Sequence, residues 1–391
     1  MKLARFPDSP ARAQHGLSLV ELMIAMTLGL IVLAGVMSLF MTNKKSYTLQ
    51  TAVARIQEGG RFSFDFLAQD VRQAGYMGCL KNANLVSYLD TSSPNTNTTN
   101  FGDPVNGYEA AGDTTDTGPG QSVTINTVPP VTAGTATFYP STLTNVPTLD
   151  TAIAGKAIAG SDLLVIHRVN TQPIYVTDVL GSGNSANVQV TTSAGIAAGQ
   201  FGIVTDCGSG ALFQITKLPG SNKIQANTGS DASPGNHEKP WKNDGVKPGS
   251  SFYAPDTLAY FIGVGADGSP ALFKADADNA TTFTTQELVS GVENMQILYG
   301  VDTDTTADGI PNQYVTARNV AKTDWTRVVN VRIGLLVRSD LGVVTEPIVP
   351  PATSGCVAGT FNVLGTCVTA PSDTRLRRVF VATFSLRNQL P

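Results

Sequence analysis

Between Leu17 and Met41 the chain carries one ionisable side chain, Glu21, in an otherwise apolar or small, uncharged run. About 20 such residues follow Glu21 without a break, which is enough for one membrane-crossing helix. No second run of this kind occurs. No proline stands between Ala11 and Ser93, so the helix can continue past the apolar run. There Leu49, Val53, Ile56, Gly60, Phe64, Leu67 and Val71 recur at three- and four-residue steps, one apolar stripe at helical period. A helix from Leu17 to Glu58 would extend about 60 Å at 1.5 Å per residue. Gly59 and Gly60 each cost about 1 kcal/mol in a helix interior and mark either a bend or a close packing point.

The period changes further along the chain. Residues 82–155 contain no Lys or Arg and are crowded with Thr, Asn, Ser, Gly and Pro, as in "SSPNTNTTNFGDP". This pattern predicts a large polar surface insertion, with a set of short edge strands as the alternative. "SDLLVIHRV", "FGIVTDC" and "ALFQITKL" are β-branched and aromatic runs bounded by Gly and Asp, the pattern of strands. "LAYFIGVGADGSPALFKAD" reads as a hairpin through Asp267 and Gly268. "TTQELVSGVENMQILYG" reads as a short helix running into a strand. Val329, Val331, Ile333, Leu335 and Val337 alternate with Asn330, Arg332, Gly334 and Arg338, predicting one buried and one mostly polar face. The last strand places Phe380, Ala382, Phe384 and Leu386 on one side. The fold class is α+β, with a long N-terminal helix packed on antiparallel sheet.

Composition narrows the setting. The chain has 391 residues, 42% of them hydrophobic, with 38 Gly, 22 Pro and only 14% charged residues, as expected of an exported β-rich body with many turns. A formal charge of -4 gives no overall attraction to nucleic acid. Cys79, Cys207, Cys356 and Cys367 lack the CxxC spacing of a zinc or redox site. Disulfides in an oxidising compartment fit best, and three pairings are arithmetically open. Cys356 with Cys367 would close a loop of about a dozen residues, worth about 3 kcal/mol by chain entropy. Free buried thiols are the alternative.

The candidate chemistry is sparse. Asp302, Asp304 and Asp308 precede Gly309 in "DTDTTADGIPNQY", and alternating carboxylates on a loop can supply the hard oxygen ligands of calcium. The spacing is not that of an EF-hand, and a solvated acidic turn is the favoured reading. No cofactor is required by any other feature. His167 sits mid-strand and His237 in the polar loop "GNHEKPW", neither with a second ligand at metal spacing. With three histidines and no GxSxG, HExxH or phosphate loop, the expectation is no enzymatic activity.

The N-terminal run also has the wrong order for a cleaved secretory signal, because the small residue Gly16 precedes the apolar stretch instead of following it. "GLSLVELMIA" resembles the type IV prepilin signature. The resemblance implies a leader, residues 1–16, removed by prepilin peptidase between Gly16 and Leu17 and taking His15 with it. It also implies N-methylation of Leu17, an assembly helix over 17–42 and an amphipathic continuation over 43–78. The family usually has Phe after the cut, where this chain has Leu17. Glu21, four residues on, shares a helix face with the new amino terminus. A carboxylate in lipid costs about 2.5–3.5 kcal/mol, and in pilins its partner is taken to be the amino terminus of an adjacent subunit.

"RIQEGGRFSFDFLAQDVRQAGYMGC" and "LRRVFVATFSLRN" resemble PilW-type minor pilins. They imply a periplasmic or extracellular β-rich body over 79–391. "AGYMGC" and "VTDCGSGALFQIT" resemble family stretches and so support Cys79 with Cys207 beside Cys356 with Cys367. Related pilins often carry a tighter "DTDGDG" where this chain has Asp302 to Gly309.

The function implied is a minor pilin of type IV pilus assembly, in a tip or priming complex that supports a tip adhesin. Its partners would be other minor and major pilins, an adhesin-like tip protein, prepilin peptidase and the inner-membrane assembly platform. It would sit in the inner membrane by one helix, with the body in the periplasm, and then in the pilus at the cell surface. Lys2, Arg5 and Arg12 favour a cytoplasmic start, although Lys44 and Lys45 weaken that signal. The alternatives are a type II secretion pseudopilin, or a tip module for adhesion or DNA binding in which Arg327, Arg332 and Arg338 form an anion-attracting face.

Overall fold

The computed structural model describes residues 18–81, 84–90, 100–110, 122–125, 133–134, 138–139, 150–182, 185–228, 233–240, 246–277, 282–353 and 355–389. The chain divides into two units, residues 1–51 and 52–391. The long helix, Leu19–Val71, is uninterrupted. In the first unit it is the sole described element. Its large apolar side chains from Leu19 to Met41 are exposed, Leu33 by 66% and Leu39 by 67%, and it is long and apolar enough to cross a membrane.

In the second unit the same helix turns one face inward, through Ala52, Ile56, Gly60, Ser63, Leu67, Ala68, Asp70 and Val71. The stripe expected from the sequence is therefore buried at Ile56, Gly60, Leu67 and Val71, and half-buried at Val53 and Phe64. Gly60 proves to be a close packing point, not a bend. A Cβ there would stand 2.9 Å from the Phe380 ring, so any side chain would force the ring or the helix to shift.

The helix ends at Val71 instead of running to residue 78. The reason lies in "AGYMG". Gly75 and Gly78 take φ of 70° and 69°, a left-handed conformation that favours glycine. The backbone then pairs with the neighbouring strand, Gly75 N–H donating to His167 O at 2.8 Å and Val169 N–H to Tyr76 O at 2.8 Å.

Among the described residues, four sheets form the body. The six-stranded sheet orders Thr284–Ser290, Pro270–Asp276, Pro255–Val264, Leu163–Val169, Val105–Ala110 and Phe138–Tyr139. The four-stranded sheet orders Gln313–Val315, Val292–Val301, Val328–Gly342 and Arg375–Ser385. The helix packs against these two, Ile56, Leu67 and Val71 sharing one core with Leu164, Tyr260, Met295, Ile333 and Phe384. A seven-stranded sheet runs from Leu85–Ser87 to Lys223–Gln225 around its own core of Val188, Val204, Phe213 and Phe252. The smallest sheet joins Phe361–Val363, Thr366–Thr369 and Ser122–Thr124.

Three local expectations change. Val105–Ala110, inside the stretch expected to be a polar surface insertion, is a largely buried strand paired with Leu163–Val169; its Val and Tyr positions override the polar composition around them. "TTQELVSGVENMQILYG" contains no helix. It is the strand Thr284–Ser290, then Gly291 at φ 84°, then the strand Val292–Val301, so the glycine lets the chain cross between sheets. Val328–Gly342 has no solvent face along most of its length. The smallest sheet covers the side expected to be polar, with Leu336 packed among Val123, Ile125, Val363 and Val368. Gly334 permits the approach, since a Cβ there would stand 2.8 Å from Val363 and 2.9 Å from Leu364.

The disulfides join Cys79 to Cys207 and Cys356 to Cys367. The second staples the covering sheet at Thr366–Thr369. Replacing both Cys356 and Cys367 by serine should lower stability by at most about 3 kcal/mol on the loop-entropy estimate. The shift in urea midpoint measures it, and an unchanged midpoint would mean the small sheet is held by its apolar contacts alone.

Candidate functional site

The first turn of the long helix is the strongest candidate. Leu22 N–H donates to Ser18 O at 3.1 Å, so Ser18 stands at the N-cap position and Glu21 in the first turn. Ser18 and Glu21 have the S-x-x-E spacing of a capping box. A carboxylate in the first turn also complements the positive end of the helix dipole. Sequence reasoning gave Glu21 an amine partner and missed this local role, although the spacing was visible. Gly16 and Leu17 lie outside the described residues.

The acidic loop does gather its three carboxylates, with oxygens of Asp302, Asp304 and Asp308 within 4.8 Å of one another. Asp302 is its buried hub. It accepts N–H bonds from Asp304 at 3.1 Å, Asp308 at 3.0 Å and Gly309 at 2.9 Å. The Arg327 guanidinium lies 3.9 Å from its Oδ1 and also donates to the Asp304 carbonyl. Burial opposes ionisation, but these amide donors and Arg327 hold the Asp302 carboxyl below the usual carboxylate range. Both Asp302 oxygens and Asp308 Oδ1 accept backbone amides, and the Arg327 guanidinium stands beside Asp302. The residues fit a hydrogen-bonded acidic turn better than a calcium cage.

The arginines do not form one anion-attracting face. Arg338 is 3% exposed and donates to Glu293 at 3.2 Å. Arg327 is held on the Asp302 loop, and Arg332 lies over the Tyr314 ring at 4.1 Å. The two described histidines are held by structural contacts. His167 Nδ1 is 2.8 Å from Asp103 O, with its ring edge-on to Phe101. His237 Nδ1 is 3.1 Å from Leu89 O, and its ring stacks on Tyr88.

Three charged clusters escaped the sequence reading because their members are far apart in the chain. Asp70, at the end of the helix, accepts from Arg168 at 2.8 Å, Lys274 at 2.9 Å and Tyr260 at 2.5 Å. Arg168 continues to Gln73 at 2.8 Å and Asp256 at 3.1 Å, along a shallow cleft lined by these side chains and Asn170. Burial, then Asp276 beside it, pushes the Asp256 carboxyl up to about 6 against the pull of Arg168.

The second cluster is Glu293 with Arg338, Arg377 and Asp373 inside the four-stranded sheet. The third is a carboxyl pair. Asp162 accepts N–H bonds from Ala110 at 2.9 Å and Ile297 at 2.8 Å, tying the six-stranded sheet to the four-stranded one. Burial pushes its carboxyl up to about 7. Burial, then the nearby Asp162, pushes Glu109 up to about 9. The pair is fully enclosed, without the access a glycosidase needs, so it is a structural seam.

The described residues thus comprise an apolar helix segment with one N-terminal carboxylate and, as a separate unit, a body whose polar clusters are occupied with holding sheets together. A family model described as Type IV Pilus-assembly protein W matches residues 259–388. A model described as Prokaryotic N-terminal methylation motif matches residues 11–37, the span holding Gly16, Leu17 and Glu21. No curated protein matches the chain. Among solved structures it is similar to a type IV-like pilin from Thermus thermophilus, at 16% identity and TM-score 0.23, over 35% of this chain and 67% of that one.

Proposed function

We propose that this chain, a minor pilin of the PilW type that takes part in type IV pilus assembly, acts in a tip or priming complex that starts the filament and supports an adhesin-like tip protein. One observation carries the reading. The helix from Leu19 exposes nearly all its large apolar side chains as far as Met41, with Glu21 as its one carboxylate. Such a surface needs lipid or other helices around it.

In this reading prepilin peptidase cuts between Gly16 and Leu17, Leu17 is methylated, and the helix holds the chain in the inner membrane with its body in the periplasm. Glu21 then seeks the amino terminus of a neighbouring pilin, because an unpaired carboxylate in lipid is unfavourable by about 2.5–3.5 kcal/mol. That attraction selects helices at one stagger as the filament grows. The protein's role is structural, in keeping with the family matches. The nucleic-acid alternative loses its support with the dispersal of Arg327, Arg332 and Arg338.

Glu21→Ala should leave leader removal intact, read as the mobility of the mature chain, while reducing surface pili about tenfold or more, a loss of about 1.4 kcal/mol or more in one assembly step. A wild-type pilus count in that variant would remove the assembly role from Glu21.

A further inference from the structure

We propose that the outer edge of the strand Arg375–Ser385 receives an extended strand from another pilus subunit, extending the four-stranded sheet by one. The inference rests on the pilin reading above but concerns a surface that reading does not assign. Among the described residues, Arg375–Ser385 has one sheet neighbour, Val328–Gly342.

The register fixes which backbone groups are left over. Opposed residues in an antiparallel pair alternate between hydrogen-bonded and non-bonded. Leu386 N–H donates to Val329 O at 2.9 Å, which sets the phase. With Val331 opposite Phe384, Ile333 opposite Ala382 and Leu335 opposite Phe380, the even-numbered residues direct N–H and C=O into the sheet. Val379, Val381, Thr383 and Ser385 therefore direct theirs outward. None of these four amides finds a partner among the described residues.

Natural edges are usually blunted with lysine, proline, inward charges or bulges. From Val379 to Leu386 the sequence is VFVATFSL, with none of the first three, and the pairing is regular from Arg338–Arg377 to Asn330–Ser385. Val381 is 52% exposed, and Thr383 and Ser385 are exposed. Four outward amides alternating with four outward carbonyls are complementary to one ligand class, an extended peptide backbone.

Charge chooses between a different subunit and a second copy. Arg378 is exposed at the start of the edge, its guanidinium 5.5 Å from the Phe380 ring centroid. Residues 375–386 hold no Asp or Glu, so a second copy paired through this strand would bring no carboxylate to Arg378. The occupant is then a strand of another subunit, with uncharged residues along 379–385 and an acidic side chain reaching Arg378.

Amide hydrogen exchange of the full chain tests this, comparing detergent-solubilised protein with sheared pili. The expected result is exchange within seconds at Val379, Val381, Thr383 and Ser385 in detergent and at least 100-fold slowing in pili, with Phe380 and Ala382 protected in both. Val381→Pro removes one outward amide and no inward one, a substitution that edge strands accept. It should keep Phe380 and Ala382 protected while the chain's content in pili falls several-fold.

Rapid exchange of the four outward amides in pili overturns the proposal, as does wild-type recovery of Val381→Pro in pili. Protection in detergent that rises with protein concentration overturns it in favour of a second copy. Absence of the unaltered chain from sheared pili overturns the pilin reading itself, and the proposal with it.

Discussion

Glu293→Ala should destabilise the body by about 3–5 kcal/mol, the cost of removing one partner from a buried ion pair. Glu293 is fully buried, and so nearly is Arg338, at 3% exposed. Glu293 accepts from Arg338 Nη1 at 3.2 Å, from Arg377 Nε at 2.6 Å and from Arg377 Nη2 at 3.1 Å. Arg377 in turn forks onto Asp373 at 2.7 and 3.0 Å. These residues join three of the four strands of one sheet, so the substitution leaves two guanidinium groups in the interior facing the gap. Arg55→Ala is the control. Its partner Asp340 is at 3.0 Å, but both side chains are more than half exposed, and such pairs contribute under about 1 kcal/mol. Urea unfolding of the two variants compares them directly. A loss below about 1 kcal/mol for Glu293→Ala would mean the cluster is hydrated and not a structural core.

The second large effect is on pH. Folding raises Glu109 from an ordinary glutamate value to about 9 and Asp162 from an ordinary aspartate value to about 7, in both cases first through burial. The folded chain therefore keeps protons that the unfolded chain has released. Stability from these groups is complete below their unfolded values and is lost as pH rises through the folded ones. Each retained proton contributes a slope of about 1.4 kcal/mol per pH unit. Both groups act from about pH 5 to 7, and Glu109 alone from about 7 to 9.

Asp302 and Asp373 are held below the usual carboxylate range, so their stabilisation is lost in the opposite direction, as pH falls through their folded values. From these groups wild-type stability should be highest near the ordinary carboxylate values, about pH 4, and decline toward about 9. Glu109→Gln should flatten the decline between 7 and 9 and be more stable than wild type at pH 8. Urea midpoints across this range decide it, and a flat wild-type profile from pH 5 to 9 would rule out the protonated pair.

Much of this was readable in the sequence where the pattern is local. The helix stripe, the hairpin through Asp267 and Gly268, and the existence of a strand around Ile333 each rest on a pattern of a few residues, so periodicity reports them, although not the covering of that strand's second face. What could not be read depends on partners remote in the chain. Arg338 looks like a surface residue until Glu293, 45 positions earlier, is brought beneath it. Gly334 looks neutral until the sheet containing Val363 lies on it. Glu109 sits in a stretch whose composition signals exposure, and its burial depends on remote partners, with Tyr139 opposite it and Asp162 and Thr316 nearby. At the N-terminus the sequence reading placed Glu21 by its spacing from Gly16 and Leu17, and passed over the S-x-x-E spacing from Ser18 that lies within one turn.

The Asp70 cluster has a mechanical consequence. If a pull along the long helix draws the chain out of lipid, tension enters the body along the buried face from Ala52 and runs to the helix's last turn. There Asp70 is bonded to Arg168 and Lys274 on two strands of one sheet, and a little further on Cys79 is bonded covalently to Cys207. The load is thus shared between two strands that flank Pro255–Val264, whose Tyr260 also bonds to Asp70, with a covalent stop behind them. The body would follow the helix as one piece, without peeling away strand by strand.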